Sequence, residues 1–460
     1  MLSRGSRGSA ARSLKPGRTP DSSDHTAARI GTAIAVLLIV AAIALPGLIP
    51  LNVHVRSFPP LHAEWAPHVG WGSLPAVTLA VFALVCSARI AQLSRWRVLL
   101  GVVFVTAFVW MVSLALVDGP EGLGKILEHP YEYLGPALAI TDIPAMLTEY
   151  VSRIPLDAKD NWPVHLAGHP PAAVLFFIGL VHLGLGSWLA SGLVVIVLAS
   201  TTPVAVLITL RRLGAESAAR VAAPFLALGP VAVWQAVSGD AMFGAVAAWG
   251  LCTLACAATT GEVRRRILWS LAAGLLLGIA VFLSYGLVLL GVLALAVLWL
   301  ARSWWPLPIA AATACVVAVV FAVFGFRWWE AYPVLVDRYW AGIASRRPFS
   351  YWVWGNLAAL AISGGLIVGA SVAVVVRRIR RPFPVGAVRV VVVLTAAAAL
   401  TILFADLSMM SKAEVERIWV PFVPWLLIGT ALLPERLRRP ALGVQLGTAL
   451  VVQHLLLTGW

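Results

Sequence analysis

Long apolar runs separated by shorter polar segments make up most of this chain. A helix that crosses a bilayer needs about 20 apolar residues, and about thirteen runs reach or approach that length. The runs cover residues 30–50, 73–88, 98–117, 188–210, 221–238, 241–260, 267–283, 286–301, 306–325, 354–376, 385–405, 419–433 and 441–458. This pattern predicts an all-α polytopic membrane protein with about thirteen transmembrane helices in a single membrane domain, 30–460.

One polar segment, residues 118–171, is much longer than the other connections. It is rich in aspartate and glutamate, and it ends in the sequence His-Pro-Pro. The apolar run that follows, 172–186, is too short to cross a bilayer, so we expect it to form a short re-entrant helix. We therefore expect segment 118–171 to be the catalytic segment of the domain.

The charge distribution predicts how the chain sits in the membrane. Only 12% of the 460 residues are charged, against about 25% in soluble domains, and the net charge is +14. Most lysines and arginines lie in alternate loops and in residues 1–29, which we expect to form a disordered cytoplasmic tail. The positive-inside rule then predicts a plasma-membrane protein with its N-terminus in the cytoplasm and segment 118–171 outside. The same asymmetry explains the positive charge without a nucleic-acid partner.

The predicted outer side is acidic and aromatic. Its segments are 51–72, 118–171, 238–240, 326–353 and 406–418. Their aromatic residues include Trp162, Trp328, Trp329, Tyr332, Tyr339, Trp340, Tyr351, Trp352 and Trp354. Such residues form either an interfacial belt or a platform for sugar rings or an isoprenoid chain.

Three aspartates are candidate catalytic residues. Asp240 lies in VWQAVSGDAMFGAV without a nearby countercharge, which indicates either a functional carboxylate or a helix-capping residue in a solvated turn. Asp118 stands where an apolar run ends, a position that also suits a simple helix-to-loop residue. Asp142, in AITDIPAMLTEYV, is equally suited to capping a short amphipathic helix. If Asp240 binds a metal ion, oxygen ligands favour Mg²⁺ or Mn²⁺.

Segment 118–171 also contains candidate substrate-binding residues. Glu132 stands between two tyrosines, and His165 and His169 are four residues apart. Prolines flank the two histidines, which makes a regular helix and a zinc site unfavourable. We expect His169 to contact a phosphate or a sugar.

Two later outer segments carry candidate phosphate-binding cations. Arg338 lies in segment 326–353, and Lys412, Glu416 and Arg417 lie in SMMSKAEVERIWVPF. Lys412 with Glu416, and Glu414 with Arg417, have the spacing of ion pairs on a solvated helix. The alternative is that Lys412 and Arg417 bind phosphate at the membrane surface.

Together these features resemble the GT-C superfold of polytopic glycosyltransferases, which includes protein mannosyltransferases and aminoarabinose transferases. The resemblance covers roughly residues 98–290 and is carried by the acids Asp118 or Asp142 in the first large outer loop, by His-Pro-Pro at 169–171, by RRLGA at 211–215 and by Asp240 in SGDAMF. The chain also looks like actinobacterial integral membrane proteins. Two apolar runs precede the run that leads into the large loop, whereas the family usually has one.

The resemblance implies a mannosyltransferase-like, inverting enzyme. It would move a sugar from a polyprenyl-phosphate donor to a glycan, lipid or protein acceptor. Lys412, Arg417 and Arg338 would neutralise the leaving phosphate. Asp118, or in second place Asp142, would act as general base, and Asp240 would bind a cation or position the acceptor.

Two other classes of protein fit the hydropathy pattern. A lipid-linked-sugar flippase or transporter would also be polytopic, but it favours charged residues within its spans, and these spans are nearly free of charge. A non-catalytic envelope assembly protein needs no catalytic acid, so substitution of the acids would be silent.

Overall fold

The computed structural model describes residues 22–49, 51–380 and 384–459. These residues form twenty-one α-helices: α1 (Ser22–Leu48), α2 (Ser73–Leu93), α3 (Trp96–Ala115), α4 (Leu134–Ala139), α5 (Ile143–Glu149), α6 (Val164–Gly168), α7 (Ala172–His182), α8 (Trp188–Arg212), α9 (Glu216–Ala227), α10 (Ala232–Gln235), α11 (Gly239–Thr259), α12 (Val263–Leu283), α13 (Leu290–Ala301), α14 (Pro306–Val323), α15 (Trp328–Ala341), α16 (Phe349–Ser363), α17 (Ile367–Ile379), α18 (Gly386–Leu407), α19 (Val415–Ile418), α20 (Val423–Leu427) and α21 (Glu435–Leu455).

The remaining regular elements are short. Single 3-10 turns occur at Leu116–Asp118, Pro120–Leu123, Lys125–Glu128, Tyr285–Leu289, Ile343–Ser345 and Ile428–Leu432. Strands β1 (Ala63–Trp65) and β2 (Leu456–Thr458) pair antiparallel, with Glu64 opposite Leu457.

The all-α polytopic membrane fold is confirmed. Within the described residues, eight helices are long and apolar enough to cross a bilayer, namely α1, α2, α3, α8, α11, α12, α14 and α18. Helices α16 and α17 make a ninth span if they are counted as one span that bends by 109°. Of the about thirteen predicted transmembrane helices, eight or nine thus meet this test of length and apolarity within the described residues, and the other predicted runs form shorter, broken or less apolar helices.

The difference arises where apolar runs contain helix-breaking residues. The predicted run 354–376 bends at Gly364 and Gly365, where Gly365 has φ of +87° and Gln445 donates a hydrogen bond to the Gly364 carbonyl (3.0 Å). Prolines interrupt the run 419–433, which forms only the short helix α20 and a 3-10 turn. Hydrophobicity alone does not distinguish these broken segments from continuous helices.

Helix α7 does not cross the membrane, as expected for the run 172–186. Its 11 residues span only about 16 Å. At its middle, the ring of Phe177 stacks on Tyr133 with centroids 5.3 Å apart. After its end, the backbone of Trp188 lies against Gly124. Since α7 follows Pro171 directly and Trp188 lies against Gly124, the chain enters and leaves α7 beside segment 118–171.

The first helix begins inside the segment 1–29 that was predicted to be a disordered tail. Residues 1–21 lie outside the described residues, but α1 already begins at Ser22. Asp24, in its first turn, pairs with Arg377 and Arg378 at the end of α17. These ion pairs hold the start of α1 against a neighbouring helix.

Polar connections gather at two opposite faces. At the basic face, Arg220 donates to the carbonyl oxygens of Ala91 and Ser94, both at 2.9 Å. At the other face, the His62 amide donates to the carboxylate of Glu416 (2.9 Å), and Arg338 donates to the Trp162 carbonyl (2.9 Å). We call the face that carries these two contacts the acidic face. The loops predicted for each side thus lie together, and which face is cytoplasmic stays a prediction.

Candidate functional site

The connection between α18 and α20 places Glu414 and Arg417 side by side. Ala413 and Glu414 both adopt the left-handed conformation, with φ of 67° and 61°. The chain then enters the four-residue helix α19, and Arg417 Nη2 lies 3.3 Å from Glu414 Oε2. The predicted ion pair between these two residues is confirmed. The predicted Lys412–Glu416 pair is absent among the described contacts, because the left-handed residues between them break the helical spacing.

Arg417 is the centre of a buried polar cluster. It is only 4% exposed, and its Nη1 donates to Asp240 Oδ2 at 2.6 Å, while Nη2 lies 3.5 Å from His165 Nε2. Burial lowers the pKa of Arg417, but Asp240 and Glu414 outweigh that effect and raise it above its ordinary value. Asp240 is equally buried, and the side chain of Ser238 provides the cap of α11. The capping alternative for Asp240 is therefore wrong, since its carboxylate faces Arg417.

Two histidines extend the cluster. His165 Nδ1 lies 2.8 Å from Glu132 Oε1, and His169 Nδ1 lies 2.7 Å from the Tyr133 hydroxyl. Burial raises the pKa of Glu132, but the adjacent His165 outweighs that effect and holds it below its ordinary value. Burial lowers the pKa of His169 to about 4, although Asp240 opposes this, so its imidazole is neutral near pH 7.

The local backbone around the histidines differs from the expectation. His165 lies in the five-residue helix α6, and His169 follows directly in extended conformation. A single helical turn thus fits between the two flanking prolines. The two side chains therefore have different surroundings. His165 contacts Arg417 and Glu132, whereas His169 contacts Tyr133.

A cavity of about 550 Å³ opens beside this cluster at the acidic face. Four cations, two histidines and three tyrosines contribute to its lining: Arg338, Arg347, Lys412, Arg417, His165, His169, Tyr285, Tyr332 and Tyr339. Apolar residues of α18 and of the turn before α13 complete it, among them Val288 and Phe404, which are 53% and 46% exposed on the outer surface of the helices. The cavity is therefore cationic at one end and apolar where it meets the surface.

Glu414 is the one carboxylate among the described residues that line the cavity. Its Oε1 lies 3.4 Å from Arg347 and its Oε2 lies 3.3 Å from Arg417. Burial would raise the pKa of Glu414, but the two arginines outweigh that effect and hold it at about 2. The sequence interpretation treated Glu414 only as an ion-pair partner. Its position in an isolated charged segment directly before an apolar run is the feature of the sequence that indicates a site residue.

The other cations are oriented by neutral acceptors. Lys412 Nζ donates to the carbonyl oxygens of Ala344 (3.2 Å) and Arg347 (3.1 Å), and it lies 4.4 Å from the centre of the Trp340 ring. Arg338 donates to the carbonyl oxygens of Ile154 and Trp162. Because these acceptors carry no formal charge, the positive charge of both side chains remains available to an anion.

Five predicted site residues do not line this cavity. Asp240 and Glu132 lie in the cluster beside it, and Asp142, Glu416 and Asp118 lie elsewhere. Asp142 is exposed and caps α5, where its Oδ1 accepts from the Ala145 amide at 2.9 Å. Glu416 is 1% exposed and accepts from the His62 amide; burial raises its pKa to about 7, while hydrogen bonds to backbone amides oppose the shift.

Asp118, the last of these five residues, lies in a second cavity. This cavity has a volume of about 620 Å³ and also contains Glu121, Lys125 and Glu128. The carboxylate of Asp118 bonds His68 at 2.6 Å and Gln453 at 2.8 Å. The two candidate bases of the large loop, Asp118 and Asp142, are thus separated from the cationic cavity that holds Arg417.

The arrangement around Asp240 does not fit a divalent metal ion. Within the described chain, no group of three or more His, Cys, Asp or Glu side chains is placed to hold one. Asp240 Oδ2 is already bonded to Arg417, whose positive charge repels a second cation. Asp240 therefore acts as a partner of Arg417 in this structure.

The comparisons with known proteins add little to this picture. No protein-family model and no curated protein matches the chain. Among solved structures, the chain is similar to the oligosaccharyltransferase of Archaeoglobus fulgidus in complex with Zn and sulfate, at 13% identity and a TM-score of 0.34. The match covers 92% of this chain and 51% of that one, so the chain spans about half the length of that protein.

Proposed function

We propose that this chain is a membrane glycosyltransferase of the GT-C type, which moves a sugar from a polyprenyl-phosphate donor to an extracytoplasmic glycan, lipid or protein. The observation that carries the proposal is the cavity of about 550 Å³, whose lining includes four cations and one carboxylate, and whose apolar wall reaches the surface of the helices. The resemblance of the sequence to this superfold supports the same conclusion.

The two ends of the cavity suit the two ends of such a donor. Arg338 and Lys412 keep their charge while neutral carbonyls orient them, so they are free to bind the donor phosphate. Val288 and Phe404 lie at the surface that contacts lipid, where an isoprenoid tail would leave the cavity. Tyr285 and Tyr332 also line the cavity, and their rings are suited to packing against the sugar of the donor.

We assign the role of general base to Glu414. Its carboxylate takes the proton of the acceptor hydroxyl while that oxygen bonds to the anomeric carbon. The bond from this carbon to the phosphate oxygen breaks, and the lipid phosphate leaves with the electron pair. General-base help is worth about 10²–10⁴ in rate. Inversion at the anomeric carbon is what the family resemblance implies.

Donor binding would make Glu414 a stronger base. In the free protein, Arg347 and Arg417 hold the pKa of Glu414 at about 2, which makes it a weak acceptor of protons. A phosphate bound beside the two arginines offsets their charge and raises that pKa towards the ordinary value. The base is then most effective when the donor is in place.

Asp240, His165 and Glu132 serve as positioning residues in this proposal. Asp240 and His165 both contact the guanidinium of Arg417, and Glu132 holds His165. They orient Arg417 towards Glu414 and the leaving phosphate. His169, neutral and at the cavity wall, is suited to bonding a sugar hydroxyl.

A transfer assay tests the proposal. Purified protein in detergent is supplied with radiolabelled polyprenyl-phosphate mannose, arabinose and glucose, with a membrane lipid extract as acceptor. We expect label to move from one of these donors to the acceptor. If no donor supports transfer, while the protein moves donor lipid between the leaflets of a vesicle, the chain is a flippase and the proposal fails.

A further inference from the structure

A groove runs along α11 at the basic face, far from the site described above. It encloses about 710 Å³, and α11 forms its floor while α8 and α12, which both pack against α11, form its walls. The floor residues recur every three or four positions: Trp249, Cys252, Thr253, Cys256 and Thr259. This is one face of a helix, and from Trp249 to Thr259 it extends about 15 Å into the span.

Each wall has a cation at the helix end and an apolar residue one turn deeper. On α8, these residues are Arg212 and Ile208; on α12, they are Arg265 and Trp269. The groove is therefore polar at its mouth and apolar along its length. This is the profile of an amphiphile with a charged head and a hydrocarbon chain.

The charge at the mouth is positive and incompletely balanced. Arg212 has no carboxylate partner among the described residues, and its guanidinium donates to the Cys256 carbonyl at 3.4 Å. Arg265 pairs with the exposed Glu262 at 2.7 Å. No described acidic side chain lines the groove itself. The mouth also lies beside the first turn of α12, whose amide groups favour an anion.

We propose that this groove binds an anionic phospholipid. The lipid phosphate lies between Arg212 and Arg265, and one acyl chain follows the α11 face down to Trp249. Basic pockets between transmembrane helices are known binding places for such head groups. The inference goes beyond the proposed transferase activity and concerns the opposite face, so each stands without the other.

Native mass spectrometry of the delipidated full-length protein tests this inference. Phosphatidylglycerol is titrated against phosphatidylcholine, and glycerol phosphate serves as a soluble head-group probe. We expect one phosphatidylglycerol to bind more tightly than either of the other probes. Since an arginine near a lipid head group contributes roughly fivefold in affinity, Arg212→Gln and Arg265→Gln should each weaken binding by about that factor.

Arg264→Gln is the matched control, because Arg264 is an exposed arginine on the same helix that does not line the groove. Trp269→Ala should weaken binding of the lipid but not of glycerol phosphate. If Arg212→Gln fails to fold, Arg265→Gln carries the test, since Arg265 is 70% exposed. The inference is overturned if both lining variants behave like Arg264→Gln, if phosphatidylcholine binds equally well, or if glycerol phosphate binds as tightly as the lipid.

Discussion

Arg417 and Asp240 form the most deeply buried ion pair among the described residues. The side chains are 5% and 3% exposed, and the two groups lie 2.6 Å apart. Replacement of Arg417 by methionine leaves the Asp240 carboxylate buried without its partner, which costs about 3–5 kcal/mol of unfolding free energy. Asp240→Asn should cost less, about 1–3 kcal/mol, because Arg417 keeps Glu414 at 3.3 Å.

The double variant Arg417→Met/Asp240→Asn has no uncompensated charge at this position. We therefore expect it to be more stable than the sum of the single effects predicts, with a coupling of about 2 kcal/mol. Chemical unfolding in detergent, followed by helical circular dichroism, measures all four proteins. We also expect both single variants to lose transfer while expressing normally, since Arg417→Met removes the guanidinium and Asp240→Asn removes a group that orients it towards the leaving phosphate.

The exposed pair Arg327–Glu330 supplies the control for this cycle. Its atoms are 2.9 Å apart, but its side chains are 55% and 49% exposed, so its coupling should be within about 1 kcal/mol of zero. A coupling between Arg417 and Asp240 no larger than that of the exposed pair would refute the buried, partnered arrangement. Full transfer by Asp240→Asn would remove Asp240 from the positioning role.

Three further predictions follow from individual residues. Asp142→Asn keeps the cap of α5 and should transfer at the wild-type rate, whereas Asp142→Ala should lose about 1 kcal/mol of stability without losing transfer; initial rates and unfolding curves check this. Asp118→Asn should likewise retain transfer, because Asp118 lies in the second cavity, and a loss of rate would restore it as the base. For Glu416, burial raises the pKa from 4.5 to about 7, so the folded protein holds its proton more tightly than the unfolded chain. The free energy of unfolding should therefore fall by about 3 kcal/mol as pH rises from below 4.5 to above 7. Glu416→Gln should remove this dependence on pH. Unfolding free energies of the wild type and the variant at pH 5 and pH 8 measure the difference.

The polar cluster could be predicted only in part from the sequence. Asp240 stood out because it is an isolated carboxylate between apolar runs, and the structure gives it a buried partner. That partner, Arg417, is 177 residues away, and no local pattern connects them. Asp118 also lies at the end of an apolar run. Its carboxylate, however, bonds His68 and Gln453 and lies in the second cavity.

The helices can likewise be predicted only where their structure depends on the local sequence. Hydropathy correctly predicts α1, α3 and α8, because each is a continuous apolar segment. It does not predict the bend between α16 and α17, where Gln445 from a distant helix bonds the Gly364 carbonyl. The local conformations at Ala413 and Glu414 were equally hidden, since neither residue type favours the left-handed region.

Transfer by Glu414 variants, measured together with donor binding, tests the central claim most directly. Glu414→Gln should bind polyprenyl-phosphate sugar at least as well as the wild type, because it removes a negative charge from beside the donor phosphate. Its transfer rate should fall by about 10²–10⁴, and Glu414→Asp should recover part of that loss. Wild-type transfer by Glu414→Gln with normal donor binding would contradict the assignment of the base and the catalytic role of this cavity.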